Sequence, residues 1–225
     1  MMLGFLLARA GVEVLVLEKH ADFLRDFRED TIHPSTLEVM HELGIADEFL
    51  KRPHQELRQA EAQIGDAKVI IADLSRLPTR SKFVALMPQW DFLNFIAGQA
   101  QRYPTFQLRM HSEVVDLIEE SGRVVGARVN TPQGALEIRA DLIVGADGRH
   151  STVREKAGLE IVNLGAPIDV LWMRVPRESG DPQGGLGRVN SGKLLAMIDR
   201  GDYWQCAYVI PKGNFEEIRQ TGLPA

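Results

Sequence analysis

Two carboxylates and a glycine turn are the residues of this chain whose types and spacing could do chemistry. Asp147 and Gly148 lie in the run Ala140-Asp-Leu-Ile-Val-Gly-Ala-Asp-Gly-Arg-His-Ser-Thr-Val-Arg154. Its pattern predicts a short apolar strand (Leu142 to Val144), a Gly/Asp turn (Gly145 to Gly148) and a helix capped by Ser151 or Thr152. Glycine lacks a Cβ, so such a turn lets backbone approach a ligand closely. It also sets a carboxylate at the carboxyl end of a buried strand, where open α/β sheets bind their ligands. In isolation an ordinary strand-turn-helix junction has the same pattern, so the neighbouring elements must decide. Glu18 is the second acid. It closes the apolar run Val12-Glu-Val-Leu-Val-Leu17, where an acid can accept two hydrogen bonds from a ribose diol. An exposed acid at a strand end is the plain alternative.

The elements that must position these groups alternate in kind. Met1 to Ala10 is nearly all apolar and reads as a helix stopped by Gly11. With the strand and acid after it, this is the second half of a dinucleotide-binding βαβ unit. Its first strand and glycine-rich turn would lie before Met1, and Gly4 falls where such a helix must pack tightly on the sheet. Pro34 to Gly44 is a short helix with proline at its start and a Ser35-x-x-Glu38 capping box. Residues 58–66 and 68–74 alternate as a hairpin turned at Gly65-Asp66. Trp90 to Arg102 is a helix with Leu93, Ile96, Ala97 and Ala100 on one face, and Trp90 suits core packing. Strands follow at Phe106 to Met110, Glu113 to Glu119 and Val124 to Val129, with a hairpin turn at Ser121-Gly122 and a last meander strand at Leu136 to Arg139. Beyond Pro167 the runs 168–175, 194–198 and 203–210 are strands without interleaved helices, which indicates an antiparallel sheet that includes the 58–74 hairpin. A short helix, Asn214 to Gln220, ends the pattern.

Composition narrows the classes. Hydrophobic residues make up 44% and charged residues 25% of 225, which suits a globular protein with a sizeable core. A net charge of −5 without a basic block argues against a nucleic-acid partner. One cysteine, Cys206, excludes an internal disulfide and a cysteine zinc cluster, and fits a reducing cytoplasm. No apolar run approaches membrane-spanning length, and Met1 to Ala10 is too short for a signal peptide. His33, His41, His54 and His150 lack metal-ligand spacing, so no metal is expected. Ser151 follows no nucleophile-elbow motif.

Taken together, these segments resemble the FAD-dependent aromatic hydroxylases, the p-hydroxybenzoate-hydroxylase-like flavoprotein monooxygenases. Gly145-Ala-Asp-Gly-Arg-His-Ser-Thr-Val-Arg154 is similar to that family's Asp-Gly fingerprint. Leu15-Val-Leu-Glu-Lys19, Phe27-Arg-Glu-Asp-Thr-Ile-His-Pro-Ser-Thr-Leu-Glu38 and Met87-Pro-Gln-Trp-Asp-Phe-Leu93 support it in the same order and spacing. The acid at Glu18 alone suits NAD as well as FAD; the Asp-Gly run favours FAD. The resemblance implies an α/β fold: a FAD-binding Rossmann-like (glutathione-reductase-like) domain with a β-meander, plus part of an antiparallel-sheet substrate domain. It implies a FAD-binding domain over 1–57 and 82–160 and a partial substrate domain over 58–81 and 161–225. The family's glycine-rich phosphate turn and its late Gly-Asp motif would fall before Met1 and after residue 225, so the sequence reads as truncated at both ends. An isolated chain of this extent is expected to hold FAD weakly or not at all.

The same resemblance assigns cofactor-binding roles to Glu18, Lys19, Arg28, Gln89, Val115, Asp147, Gly148 and Arg154. Arg28 would reach the adenosine diphosphate moiety, where a guanidinium fork pairs with phosphate oxygens; Arg25 lies close by. The Gln89 amide would contact the flavin side, with a helix cap as its alternative. The backbone at Val115 would face the adenine. Asp147 would bind cofactor hydroxyls, and Gly148 would let backbone approach the pyrophosphate. Arg154 would brace that loop and help dock the nicotinamide, with a surface salt bridge as its alternative. Glu18, Arg28 and Asp147 should then converge around one flavin nucleotide.

The implied reaction uses NAD(P)H and O2 to hydroxylate an aromatic or related small organic substrate in a dry, largely apolar pocket. Trp172, Met173, Arg174, Met197, Tyr203 and Trp204 are candidates for a face or core of the second sheet. The rivals are a reductase or halogenase of the same fold, and a fragment without catalysis. A plain NAD-dependent dehydrogenase ranks last, because a hairpin and meander interrupt its alternation of helices and strands.

Overall fold

The computed structural model describes residues 1–24, 31–181, 185–190 and 192–221. In chain order it runs α1 (Met2–Arg9), β1 (Val14–Leu17), β2 (Thr31–Ile32), α2 (Pro34–Glu42), α3 (Ala46–Phe49), β3 (Gln55–Leu57), β4 (Gln59–Ile64) and β5 (Ala67–Asp73). It continues with β6 (Val84–Leu86), α4 (Gln89–Ala100), β7 (Phe106–Arg109), β8 (Glu113–Glu120), β9 (Arg123–Thr131), β10 (Gly134–Arg139) and α5 (Thr152–Lys156). The last elements are β11 (Ile168–Pro176), β12 (Leu186–Asn190), β13 (Lys193–Asp199), β14 (Tyr203–Pro211) and α6 (Phe215–Thr221). The chain divides into two compact units, 1–24 with 90–163 and 25–89 with 164–225.

In the first unit α1 packs on β1, which pairs in parallel with β7. Gly4 permits this: a Cβ there would lie 2.7 Å from Val16 Cγ2 and 3.2 Å from the Phe106 ring. The chain leaves α1 through Gly11, whose φ of +83° suits only glycine well. Strands β8, β9 and β10 form an antiparallel meander. Its first turn, Ser121-Gly122, has φ of +52° and +76°, the mirror-image turn that matches strand twist. Phe5, Phe95, Ile96, Ala100, Phe106, Ile118 and Val129 are buried, so the helix face read from spacing is the core face, with Phe95 added to it.

One expectation fails here. Leu142 to Val144 is not a strand: Leu142 is 78% and Val144 54% exposed, and no described strand forms a ladder with it. Apolar composition fits a segment for a buried strand, but only a neighbouring backbone edge makes it one. The Ser35–Glu38 capping box is also absent. The N-cap of α2 is His33, whose carbonyl accepts from the Thr36 and Leu37 amides, and Glu38 instead accepts the Arg80 amide at 2.9 Å.

The second unit contains a small sheet, β2-β6-β3, and a six-stranded sheet ordered β11-β14-β13-β12-β4-β5. The 59–73 hairpin does join the strands beyond residue 167, as its alternation implied. That sheet is not wholly antiparallel, because β12 runs parallel to β4. Ile32, Leu37, Met40, Phe49 and Phe83 to Met87 are buried. Met173, Cys206 and Met197 are register partners and so share one face with Trp204, which is buried; Trp172 and Arg174 point to the other face.

Two glycine substitutions separate packing from propensity. A Cβ on Gly126 would collide with the Ile138 carbonyl oxygen, whereas one on Gly98 in α4 meets nothing within 4 Å. In urea denaturation Gly126→Ala should destabilise by about 1–3 kcal/mol. Gly98→Ala should stabilise by about 0.5–1 kcal/mol.

Candidate functional site

The turn after residue 144 is built by the start of α5. Ser151 is the N-cap, and its Oγ accepts the Arg154 amide at 3.0 Å. Asp147 completes the cap: its Oδ2 accepts the Val153 amide at 3.1 Å, and its Oδ1 accepts the Ser151 hydroxyl at 2.5 Å. Partial burial pushes the Asp147 carboxyl up. Hydrogen bonds from Ser151 and from nearby amides outweigh this and hold it below the usual carboxylate range. Gly148 has φ of +85°. Gly145 is required for a different reason, since a Cβ there would lie 2.8 Å from Val153 Cβ. The Arg154 guanidinium donates to the Arg149 carbonyl at 2.8 Å, tying helix to loop.

Helix α5 packs on β8, which carries Val115. That residue falls where the β8–β9 register shifts, between Val114 and Asp116. A bulge leaves one residue outside the ladder and turns its side chain. An open cavity of about 330 Å³ is lined by Leu117 and Val124 of the meander with Leu142, Val153, Arg154 and Leu159, among others.

Glu18 and Lys19 sit at the end of β1, a second local structure of the same unit. Glu18 is half-buried and Lys19 exposed. The Glu18 amide donates to the Arg109 carbonyl at 2.9 Å, its carbonyl accepts the Ser112 amide at 2.8 Å, and Oε1 accepts the His20 amide at 2.9 Å. The Met1 ammonium, at the start of α1, is lowered by burial, against the raising influence of the Glu18 carboxylate. The positive end of the helix and the acid of the strand therefore share one end of this unit. Gln89 is the first residue of α4, in the other unit by chain division. Arg28 lies outside the described residues.

Structure thus groups Asp147, Gly148 and Arg154 in one turn next to the strand of Val115, and Glu18 with Lys19 at the end of β1. Sequence reading overlooked Ser151 as a partner of Asp147, the packing role of Gly145, the bulge at Val115, and Met1 beside Glu18. Only the first carried a signal, a hydroxyl four residues after the aspartate. Removing the cap tests this geometry. Asp147→Ala should cost about 1 kcal/mol in chemical denaturation at pH 7. The lowered pKa means this stabilisation is present above the ordinary carboxylate range and is lost as pH falls through the folded value. The wild-type and variant curves should therefore converge in acid.

The family profile described as FAD binding domain matches residues 1–219. Among curated relatives, 6-methylpretetramide 4-monooxygenase of Streptomyces rimosus is 26% identical over 98% of this chain and 53% of its own length. Rifampicin monooxygenase of Streptomyces venezuelae is 30% identical over 72% of this chain and 32% of its own length. The chain therefore spans about half, or less, of the length of these relatives. Among solved structures, p-nitrophenol 4-monooxygenase of Pseudomonas putida superposes with a TM-score of 0.82 at 21% identity, covering 97% of this chain and 57% of that one. The myxobacterial chondrochloren halogenase superposes at 0.80 with 20% identity, over 97% and 52%. At such identities the structures establish the fold, and the profile establishes more: this chain belongs to the FAD binding domain family.

Proposed function

We propose that the chain is part of a flavoprotein monooxygenase that uses FAD, NAD(P)H and O2 to hydroxylate an aromatic or related small organic substrate. The observation that carries this reading is the family match over residues 1–219. Relatives such as 6-methylpretetramide 4-monooxygenase and para-nitrophenol 4-monooxygenase support the choice of reaction.

The local geometry fits a dinucleotide. A half-buried acid ends β1 beside the start of α1, where helix amides and the helix dipole favour an anion. Gly4 lets that helix lie close on the strand. In this reading Glu18 accepts the ribose diol, with Lys19 beside it and Arg28 on the diphosphate. The backbone at Val115 faces the adenine, and Gln89 reaches the flavin side. Asp147 binds cofactor hydroxyls, Gly148 admits the pyrophosphate, and Arg154 holds the turn through Arg149. Bound FAD supplies the redox and oxygen chemistry that side chains lack. The residues around it bind, orient and exclude water. Residues 1–57 and 82–160 form the FAD-binding part, and 58–81 with 161–225 contribute to the substrate domain. No described helix is long and apolar enough to cross a membrane, and a cytoplasmic location is part of this proposal.

Isotope transfer tests the reaction. With FAD, NADH or NADPH and a panel of phenols under ¹⁸O2, the full-length protein that contains this chain should place one labelled oxygen in the product. With chloride or bromide also present, a halogenated product without label would favour the halogenase reading instead. Flavin-fluorescence titration tests the site separately. Glu18→Ala, which removes hydrogen bonds to a charged acceptor, should weaken FAD by about 10- to 100-fold. Unchanged affinity in both Glu18→Ala and Asp147→Ala would refute the residue assignment.

A further inference from the structure

The six-stranded sheet of the second unit carries apolar side chains from edge to edge on one of its faces. Register partners share a face, so a row of partners can be followed across all six strands. One row runs Val170, Val209, Leu194, Val189, Ile64, Ala67. The next runs Trp172, Ala207, Ala196, Gly187, Ala62, Val69. Ile64, Val69, Ile168, Val170, Trp172 and Leu194, all on this face, are exposed. The opposite face buries Trp204, Cys206 and Ile210.

The second row is a trough. Its four central positions are alanine or glycine, and a Cβ on Gly187 would crowd the Ala62 Cβ at 3.3 Å. The larger side chains of the first row form one wall, Gln205 and Ile198 stand on the other side, and Trp172 closes the β11 end. From β14 to β4 the floor crosses three strand spacings, about 14 Å. That length suits several fused rings and far exceeds a single one.

Charge decides which ring systems fit. Among the described residues of these strands, Arg174 is the one charged residue on this face. Its guanidinium lies 3.3 Å from Asp202 Oδ2 and 3.8 Å from the centre of the Tyr203 ring. Gln205, its register partner, is buried and accepts two hydrogen bonds from Arg200, at 2.8 and 2.6 Å. A carboxylate laid in the trough would shed water without gaining a cation, whereas an apolar ring gains by leaving water.

We propose that this trough takes the substrate, and that the substrate is an uncharged, planar, fused-ring aromatic lying along Ala207, Ala196, Gly187 and Ala62 with one end against Trp172. The proposal rests on the hydroxylase reading for what becomes of the ligand. Its shape and charge follow from the sheet alone.

Calorimetric titration of the full-length protein that contains this chain tests this, with phenol, 2-naphthol and 3-hydroxy-2-naphthoate as probes. 2-Naphthol should bind about tenfold tighter than phenol, because its second ring buries more apolar area. 3-Hydroxy-2-naphthoate, the same rings with an anion added, should bind about tenfold weaker than 2-naphthol. Ala196→Leu fills the floor and should lower the 2-naphthol-to-phenol ratio by about threefold or more. Ala207→Leu, on a different strand, should do the same even if Ala196→Leu does not fold. An unchanged ratio in both leucine variants would overturn the proposal, and so would naphthoate binding as tight as 2-naphthol. Labelled oxygen in a product alongside an unchanged ratio would refute the trough and keep the reaction. Trough-dependent 2-naphthol binding with no label in any product would keep the trough and refute the reaction.

Discussion

The first amides of a helix have no carbonyl partner within it, and at α5 that deficit is met by Asp147 and Ser151. The rest of the candidate site depends on this arrangement. Because the carboxylate must reach back to the Val153 amide, the intervening residues fold into a tight turn. That turn needs positive φ at Gly148 and no side chain at Gly145, where Val153 stands. Arg154 then ties the helix to the loop through Arg149. One aspartate thus shapes the whole loop.

The end of β1 uses a different device. Its backbone is fixed by Arg109 and Ser112, and the Glu18 side chain is half-buried there. Gly4 sets how closely the helix can approach. In the second unit the governing constraint is register. It puts Met173, Cys206 and Met197 on one face and Trp172 and Arg174 on the other. Burial there raises the Cys206 thiol pKa, which keeps it an inert packing group.

Much of this was legible in the chain, for identifiable reasons. Local turns follow from residue type: Ser121-Gly122 and Gly65-Asp66 turn where they must, and Gly11 ends α1. The cap at Ser151 was legible because a short hydroxyl side chain just before a helix reaches the amides of its first turn. The capping box at Ser35 was not, because Glu38 found a better donor in Arg80, remote in the chain. The bulge at Val115 has no sequence mark, since it arises from how β8 meets β9.

Sequence alone determined the longer helices, the β4–β5 hairpin, the meander and the two acids at a strand end and in a turn, because these depend on periodicity and on bonds between near neighbours. Tertiary structure decided which runs became strands, which pairings ran parallel, and which donor reached Glu38. Those outcomes depend on backbone edges and side chains brought together from distant parts of the chain. Leu142 to Val144 shows the division most plainly: its composition is that of a buried strand, yet a strand exists only where another edge is there to bond it.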